Sequence, residues 1–273
     1  MIRLFLLLLI YAIITNGKHF DGDTITWQPI YPNSNSNIVP ITITQLYYWT
    51  ASVIVCSTNV PVSTGNSNYG NANLICVANC STNGGYSSNP VDILTDCQTS
   101  SSSLNLMSSK RSVNISLTAN AYFSVAYTGS AWVALNNPSQ SSLTWSILCF
   151  INLRMRPDGF INTAPVAAVI SPQYAVVNRT TVITIPVSDV NVGDVLRCRW
   201  TVSGSVDECG GICYPTNVPT GTTLSNCTIS FLGTTANTWY GVAIQAMRII
   251  IISTYTFHFY RLKILSILPV LLQ

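Results

Sequence analysis

Val39-Pro-Ile-Thr-Ile-Thr-Gln-Leu-Tyr-Tyr-Trp49 alternates Thr and Gln with Ile, Leu and Trp. Successive side chains of a strand point to opposite faces, so this period of two predicts one buried and one wet face. The preceding Thr24-Ile-Thr-Trp-Gln-Pro-Ile30 keeps the same rhythm, and Arg111–Leu117, Ala121–Tyr127 and Ala131–Leu135 continue it. Thr128-Gly129-Ser130 between the last two reads as a tight hairpin. Leu143-Thr-Trp-Ser-Ile-Leu-Cys-Phe-Ile-Asn-Leu153 is long and apolar, which suits a central strand. No stretch of ten residues carries a 3.6-residue period. The fold class expected is all-β.

Outward from these strands, Arg156-Pro-Asp-Gly-Phe160 marks a boundary, because Pro fixes φ and Gly supplies a positive φ in one turn. Beyond it, Val166–Ile170, Thr181–Ile185, Val195–Val202, Cys227–Phe231 and Trp239–Gln245 read as further short strands. The expected architecture is therefore two tandem disulfide-stapled, β-sandwich-like domains. The larger covers 18–160, and a small immunoglobulin- or cadherin-like sandwich covers 161–246. Residues 71–108, rich in Ser, Asn and Gly, read as long loops inserted in the first domain, with Ser100–Ser103 as a low-complexity tip.

The chain begins with Arg3, eleven apolar residues from Leu4 to Ile14, and Thr15-Asn16-Gly17. This is the pattern of a secretory signal peptide over 1–17, cut after Gly17, and is short of the ~20 apolar residues of a membrane helix. At the other end, 247–273 form a hydrophobic tail whose texture breaks from what precedes it. Arg261 and Lys263 divide it into runs too short to span a bilayer. It is open to three readings: a last strand, a membrane-associated segment, or an end that is not native to the domain.

Charged residues make up 8% of the 273, with a net charge of +3, while nearly a third of the chain is Ser, Thr or Asn. A helix-rich cytosolic protein needs charged exposed faces, and nucleic-acid binding needs clustered Lys and Arg; neither is present. With 48% hydrophobic residues the chain has ample material for a core, which excludes disorder. A secreted or surface-displayed protein remains.

Nine cysteines fit that compartment. Each proposed domain has an outer pair enclosing a C-x3-C pair, and nested pairing follows as the expectation: Cys56–Cys97 around Cys76–Cys80, and Cys198–Cys227 around Cys209–Cys213. The two glycines of Cys209-Gly-Gly-Ile-Cys213 ease closure of the small loop. Cys149 is left as a buried free thiol. Zinc at the C-x3-C pairs is disfavoured, since no internal His is available and thiols are oxidised outside the cell.

Catalysis finds little footing. His19 and His258 lie near the ends, so no nucleophile has an internal base. Asp21 with Asp23, or Asp92 with Asp96, could serve a secreted hydrolase, but each pair suits a loop equally well. The chain is expected to be no enzyme and to hold no cofactor. The alternative cofactor is calcium, for which Asp189, Asn191 and Asp194 supply hard oxygens in a Gly-containing turn that also suits an Asx-turn. Six tryptophans (Trp27, Trp49, Trp132, Trp145, Trp200, Trp239) suit either core packing or a sugar-stacking platform. N-x-[ST] sequons at Asn79, Asn114, Asn178 and Asn226 predict glycans on exposed positions.

Lys18-His-Phe-Asp-Gly-Asp-Thr-Ile-Thr-Trp27 resembles the mature start of a group of uncharacterised invertebrate extracellular proteins. The run from Ile161-Asn-Thr-Ala-Pro-Val166 through Pro186-Val-Ser-Asp-Val-Asn-Val-Gly-Asp-Val-Leu-Arg-Cys-Arg-Trp200 is similar to their second domain. That domain is loosely similar to cadherin-like and polycystic-kidney-type repeats. The resemblance implies an extracellular architecture and assigns no activity. Together these readings predict a non-catalytic recognition or adhesion protein of extracellular protein or glycan ligands. A lectin-like module is the alternative, and no nucleic-acid partner is expected.

Overall fold

The structure is a computed structural model that describes residues 20–61, 70–130, 132–136, 139–140, 143–168, 171–191, 193–252, 256–264 and 271–272. The signal-peptide expectation for 1–17, and the strand expectations at Ala131 and at Val169–Ile170, lie outside the described residues. Among the described residues the chain is all-β, with three short 3-10 turns and no α-helix.

The first half supplies β1 (Phe20–Pro29), β2 (Ile38–Thr50), β3 (Ile75–Ala78), β4 (Asp96–Ser101), β5 (Leu106–Thr118), β6 (Tyr122–Ser130), β7 (Leu135–Asn136), β8 (Ser139–Gln140) and β9 (Thr144–Asn152). The second half adds β10 (Val166–Ala167), β11 (Tyr174–Ala175), β12 (Thr180–Thr184), β13 (Val187–Ser188), β14 (Val195–Trp200), β15 (Thr223–Ser225), β16 (Thr228–Leu232), β17 (Ile244–Ile252), β18 (Thr256–Ile264) and β19 (Leu271–Leu272). One antiparallel sheet has the order β1-β2-β5-β4, a second β3-β6-β9-β18-β17-β14, and a third β12-β16-β15. The six-stranded sheet thus draws strands from both sides of the Pro157-Asp158-Gly159 turn, and the backbone of β17 and β18 forms its hairpin. The turn itself is as expected: the Gly159 N–H donates to Arg156 O (3.0 Å), with Gly159 at φ 82°.

In β2 the period of two holds from Val39 to Tyr47, and parity outranks polarity. Val39, Ile41 and Ile43 are buried as predicted, but so is Gln45, while Leu46 falls on the outer face. A strand cannot change face without a bulge. The Gln45 amide is therefore satisfied inside, donating from Nε2 to Asp92 O (2.9 Å) and accepting at Oε1 from the Tyr47 hydroxyl (2.6 Å). Two turn expectations are likewise corrected. Thr128-Gly129-Ser130 is no hairpin, because β6 runs through it, pairing Gly129 with Trp145 of β9. A Cβ on Gly129 would lie 2.3 Å from the Trp145 ring, so the glycine is there to admit an indole. Ser100 and Ser101 belong to β4, and the hairpin tip is 102–105.

The core lies where the first two sheets face one another. Phe20 stacks on Trp145 with centroids 4.2 Å apart and meets Trp132 at 4.7 Å, Trp49 at 5.1 Å and Tyr127 at 6.3 Å. Of the indole N–H groups there, Trp27 donates to Phe150 O (2.7 Å) and Trp49 to the buried Ser109 Oγ (3.1 Å), whereas that of Trp145 is buried without an acceptor among the described residues.

Four disulfides join Cys56 to Cys97, Cys76 to Cys80, Cys198 to Cys227 and Cys209 to Cys213, the nested pattern read from the spacing. Cys198–Cys227 ties the second sheet to the third, between β14 and the turn before β16. Disulfides in this number belong to an oxidising, extracellular setting. Among the described residues no helix is long and apolar enough to cross a membrane. Cys149 is a fully buried free thiol in β9, and burial pushes its pKa up to about 12.

Candidate functional site

Antiparallel pairing brings the exits of β1, β5 and β9 to one end of the first two sheets. Three connections meet there: 30–37, 119–121 and 153–161. Each is fixed to the other two by a backbone hydrogen bond. The Ala119 N–H donates to Asn37 O (2.9 Å), Leu153 N–H to Ala121 O (2.8 Å) and Ile161 N–H to Pro32 O (2.6 Å). Within the first loop, Ser34 Oγ accepts the Ser36 N–H and Ser36 Oγ accepts the Ile38 N–H, both at 3.2 Å. Such Ser turns hold a loop without sheet pairing. In the third, the Arg156 N–H donates to Phe160 O (2.9 Å), and Met155 bridges Ile161.

Between the loops is a cleft of about 200 Å3. Its walls carry Asn35, Asn37 and Asn120, and buried Val39, Leu153 and Ile161 form an apolar floor. Asn120 holds a positive φ of 64°, a conformation Asn tolerates, which lets β5 turn directly into β6. No charged side chain lines the cleft. The nearby cations are committed elsewhere. Arg154 lies 3.9 Å over the Tyr122 ring, and Arg156 pairs with Asp158 (2.9 Å) and Asp194 (3.5 Å). The same loops and their flanks leave Tyr31 62%, Ile38 52% and Phe160 44% exposed. Apolar side chains displayed together on fixed loops are a common form of binding surface.

The residues singled out in the sequence lie elsewhere. Asp21 and Asp23 sit at the far end of β1, both buried. Desolvation raises the Asp21 carboxyl to a pKa of about 7, opposed by the Thr50 hydroxyl that donates to its Oδ2 (3.0 Å). Asp92 and Asp96 flank Arg111, whose guanidinium donates to both Asp96 oxygens (3.1 and 2.8 Å) and holds that carboxyl below its ordinary value. In the calcium turn, Asn191 Oδ1 accepts the Thr163 N–H (3.0 Å) and Asp189 Oδ1 accepts the Asn191 N–H (2.9 Å). With Asp194 beside Arg156, these oxygens already serve protein donors and a cation, the arrangement of an Asx-turn.

Asp207, Cys209 and Cys213 have ligand atoms within 4.8 Å of one another, but both sulfurs are spent in one disulfide. Asp207 Oδ1 instead accepts the Cys209 and Gly210 N–H groups (3.0 and 2.9 Å). Glu208, the chain's one Glu, is buried in a two-bond pair with Arg199 (2.8 and 2.7 Å). Four tryptophans are core residues; Trp200 and Trp239 are half-buried, and Trp200 stacks on Tyr214 at 4.4 Å. All four sequon asparagines are exposed. Asn79, Asn178 and Asn226 occupy turns with φ of 54°, 57° and 46°, whereas Asn114 lies within β5 and accepts the Thr42 hydroxyl (2.8 Å).

The cleft was not among the sequence expectations. The signal available was Tyr31-Pro-Asn-Ser-Asn-Ser-Asn37, a loop of the Tyr, Ser and Asn composition that recognition loops favour. Compared with protein-family models, curated proteins and solved structures, the chain matches none.

Proposed function

We propose that this chain is a non-catalytic recognition protein, secreted or displayed on the cell surface, that binds extracellular ligands through the cleft-bearing loop end. In this reading the chain enters the secretory pathway through residues 1–17. Its β strands form two sandwich-like modules, 18–160 and 161–246, that share the six-stranded sheet and are of the type found in the invertebrate extracellular proteins it resembles. Glycans at the four exposed sequons keep a surface with few charges soluble. The observation that carries the reading is the set of three loops bonded to one another around an uncharged cleft, with Tyr31, Ile38 and Phe160 exposed beside it. A preorganised surface loses little conformational entropy on binding, which favours recognition.

The test is binding of the full-length chain, oligomerised on a streptavidin carrier for avidity, to intact cell surfaces and to arrayed glycans and extracellular proteins. Binding should fall at least about tenfold when Tyr31→Ala and Phe160→Ala are combined, an amount a lost aromatic contact can supply. Binding that ignores this pair, or no binding to any surface, would overturn the assignment.

A further inference from the structure

We propose that the cleft holds one neutral monosaccharide unit, bound through side-chain amides. This rests on the recognition reading above and names the ligand class of the same site. At about 200 Å3 the cleft is smaller than the roughly 300–1,000 Å3 of pockets for drug-sized ligands. It has room for a single substituted six-membered ring, whereas a folded peptide or a nucleotide would lie mostly outside it. No charged group lines it, and Arg154 and Arg156 are held by Tyr122, Asp158 and Asp194. Phosphate, sulfate and carboxylate ligands would therefore meet amide and hydroxyl donors but no lining counter-charge to offset their lost hydration.

The polar groups match a polyol in kind. A sugar hydroxyl is donor and acceptor at once, and Asn35, Asn37 and Asn120 each present an NH2 donor pair beside a carbonyl acceptor. The Ser34 and Ser36 oxygens accept backbone N–H groups, which leaves their hydroxyl hydrogens to donate. Exposed Met155 and half-buried Ala119, backed by buried Val39, Leu153 and Ile161, suit the C–H face of a pyranose or the methyl of an acetamido group. Because the loops are tied pairwise, the backbone that carries these groups stays in place when the site is empty. Tyr31 and Phe160, exposed on the same loops, offer ring faces to further units of a chain.

The experiment is a titration of the full-length protein with methyl glycosides of glucose, mannose, galactose and N-acetylglucosamine, followed by the asparagine side-chain amide NMR signals. Glucuronic and sialic acids and an apolar dipeptide serve as comparison probes. At least one neutral glycoside should saturate with a Kd on the order of a millimolar, a small-ligand affinity. Asn35→Ala should weaken it at least about tenfold. Asn120→Gly, which tolerates the positive φ, should weaken it similarly without loss of fold, read from unchanged backbone amide signals.

Shifts caused only by the acids or the dipeptide, or neutral-sugar binding indifferent to both variants, would overturn the proposal. The two readings fail separately. Cell-surface binding that depends on Tyr31 and Phe160 but resists competition by every neutral glycoside sinks the saccharide assignment alone. Sugar binding at the amides without any surface binding supports it, and sinks the surface-recognition reading.

Discussion

The two disulfides within 198–227 offer a graded perturbation, because one encloses the other. Cys198–Cys227 spans 29 residues and Cys209–Cys213 spans 4. If a disulfide stabilises by removing loop-closure entropy from the unfolded chain, these spans correspond to about 3.6 and about 1.9 kcal/mol at 25 °C. The same relation gives about 3.9 kcal/mol for the 41-residue span of Cys56–Cys97. Each pair should be removed as a double Cys→Ala change, so that no thiol is left to reshuffle. Truncation of two sulfurs is then common to all variants and cancels in the comparison. Urea unfolding followed by tryptophan fluorescence, extrapolated linearly to water, gives the free energies. Loss of Cys198–Cys227 should cost more than loss of Cys209–Cys213 by about 1.7 kcal/mol, with the Cys56 pair at least as costly as the Cys198 pair. Equal costs, or a larger cost for the small loop, would refute the entropic reasoning.

Asp21 sets a pH dependence. Its pKa is raised by burial from 3.8 to about 7, so between those values the folded state keeps a proton the unfolded state releases. Stability is then greatest in acid, falls as pH rises from about 4 to about 7 by up to ~4 kcal/mol, and is level above. Asp21→Asn, still an acceptor for Thr50, should flatten that slope; parallel slopes in the two proteins would refute the assignment. Phe20→Ala empties the centre of the aromatic cluster and should cost about 3–5 kcal/mol in the same urea assay, with a cost under ~1 kcal/mol contradicting the packing described. Gly129→Ala forces a methyl against Trp145 and should cost about 1–3 kcal/mol and alter near-ultraviolet circular dichroism; an unchanged spectrum and stability would show the close approach to be wrong. Cys149 should resist iodoacetamide at pH 8 in the native protein and react on unfolding, whereas native labelling would mean the strand is open.

Much of the fold is legible because it is local. Alternation marks β2 and β5, Pro157-Asp158-Gly159 marks its own turn, and the nested cysteine spacing marks four bonds. What fails to be local is misread for definable reasons. Gln45 looks wet, yet strand parity places it inside, where a carbonyl 47 residues away in sequence and a neighbouring tyrosine satisfy it. Gly129 looks like a turn, but its partner is an indole on the next strand. The pairing of β17 and β18 with strands from both halves depends on partners far along the chain, which no periodicity reports. The cleft is hidden for the same reason. Asn37, Asn120 and Leu153 become neighbours only through backbone bonds between loops, and the one local trace of them is the Tyr-Asn-Ser texture of 31–37.

The most direct measurement is to express the full 273-residue chain in secretory cells, recover it from the medium or cell surface, and map its peptides without reduction. The account predicts a mature start at Lys18 and cross-linked peptides joining Cys56 to Cys97, Cys76 to Cys80, Cys198 to Cys227 and Cys209 to Cys213, with Cys149 alone alkylated after unfolding. A chain retained in the cytosol with reduced thiols, or sulfurs bridged across the Arg156–Phe160 turn, would contradict it.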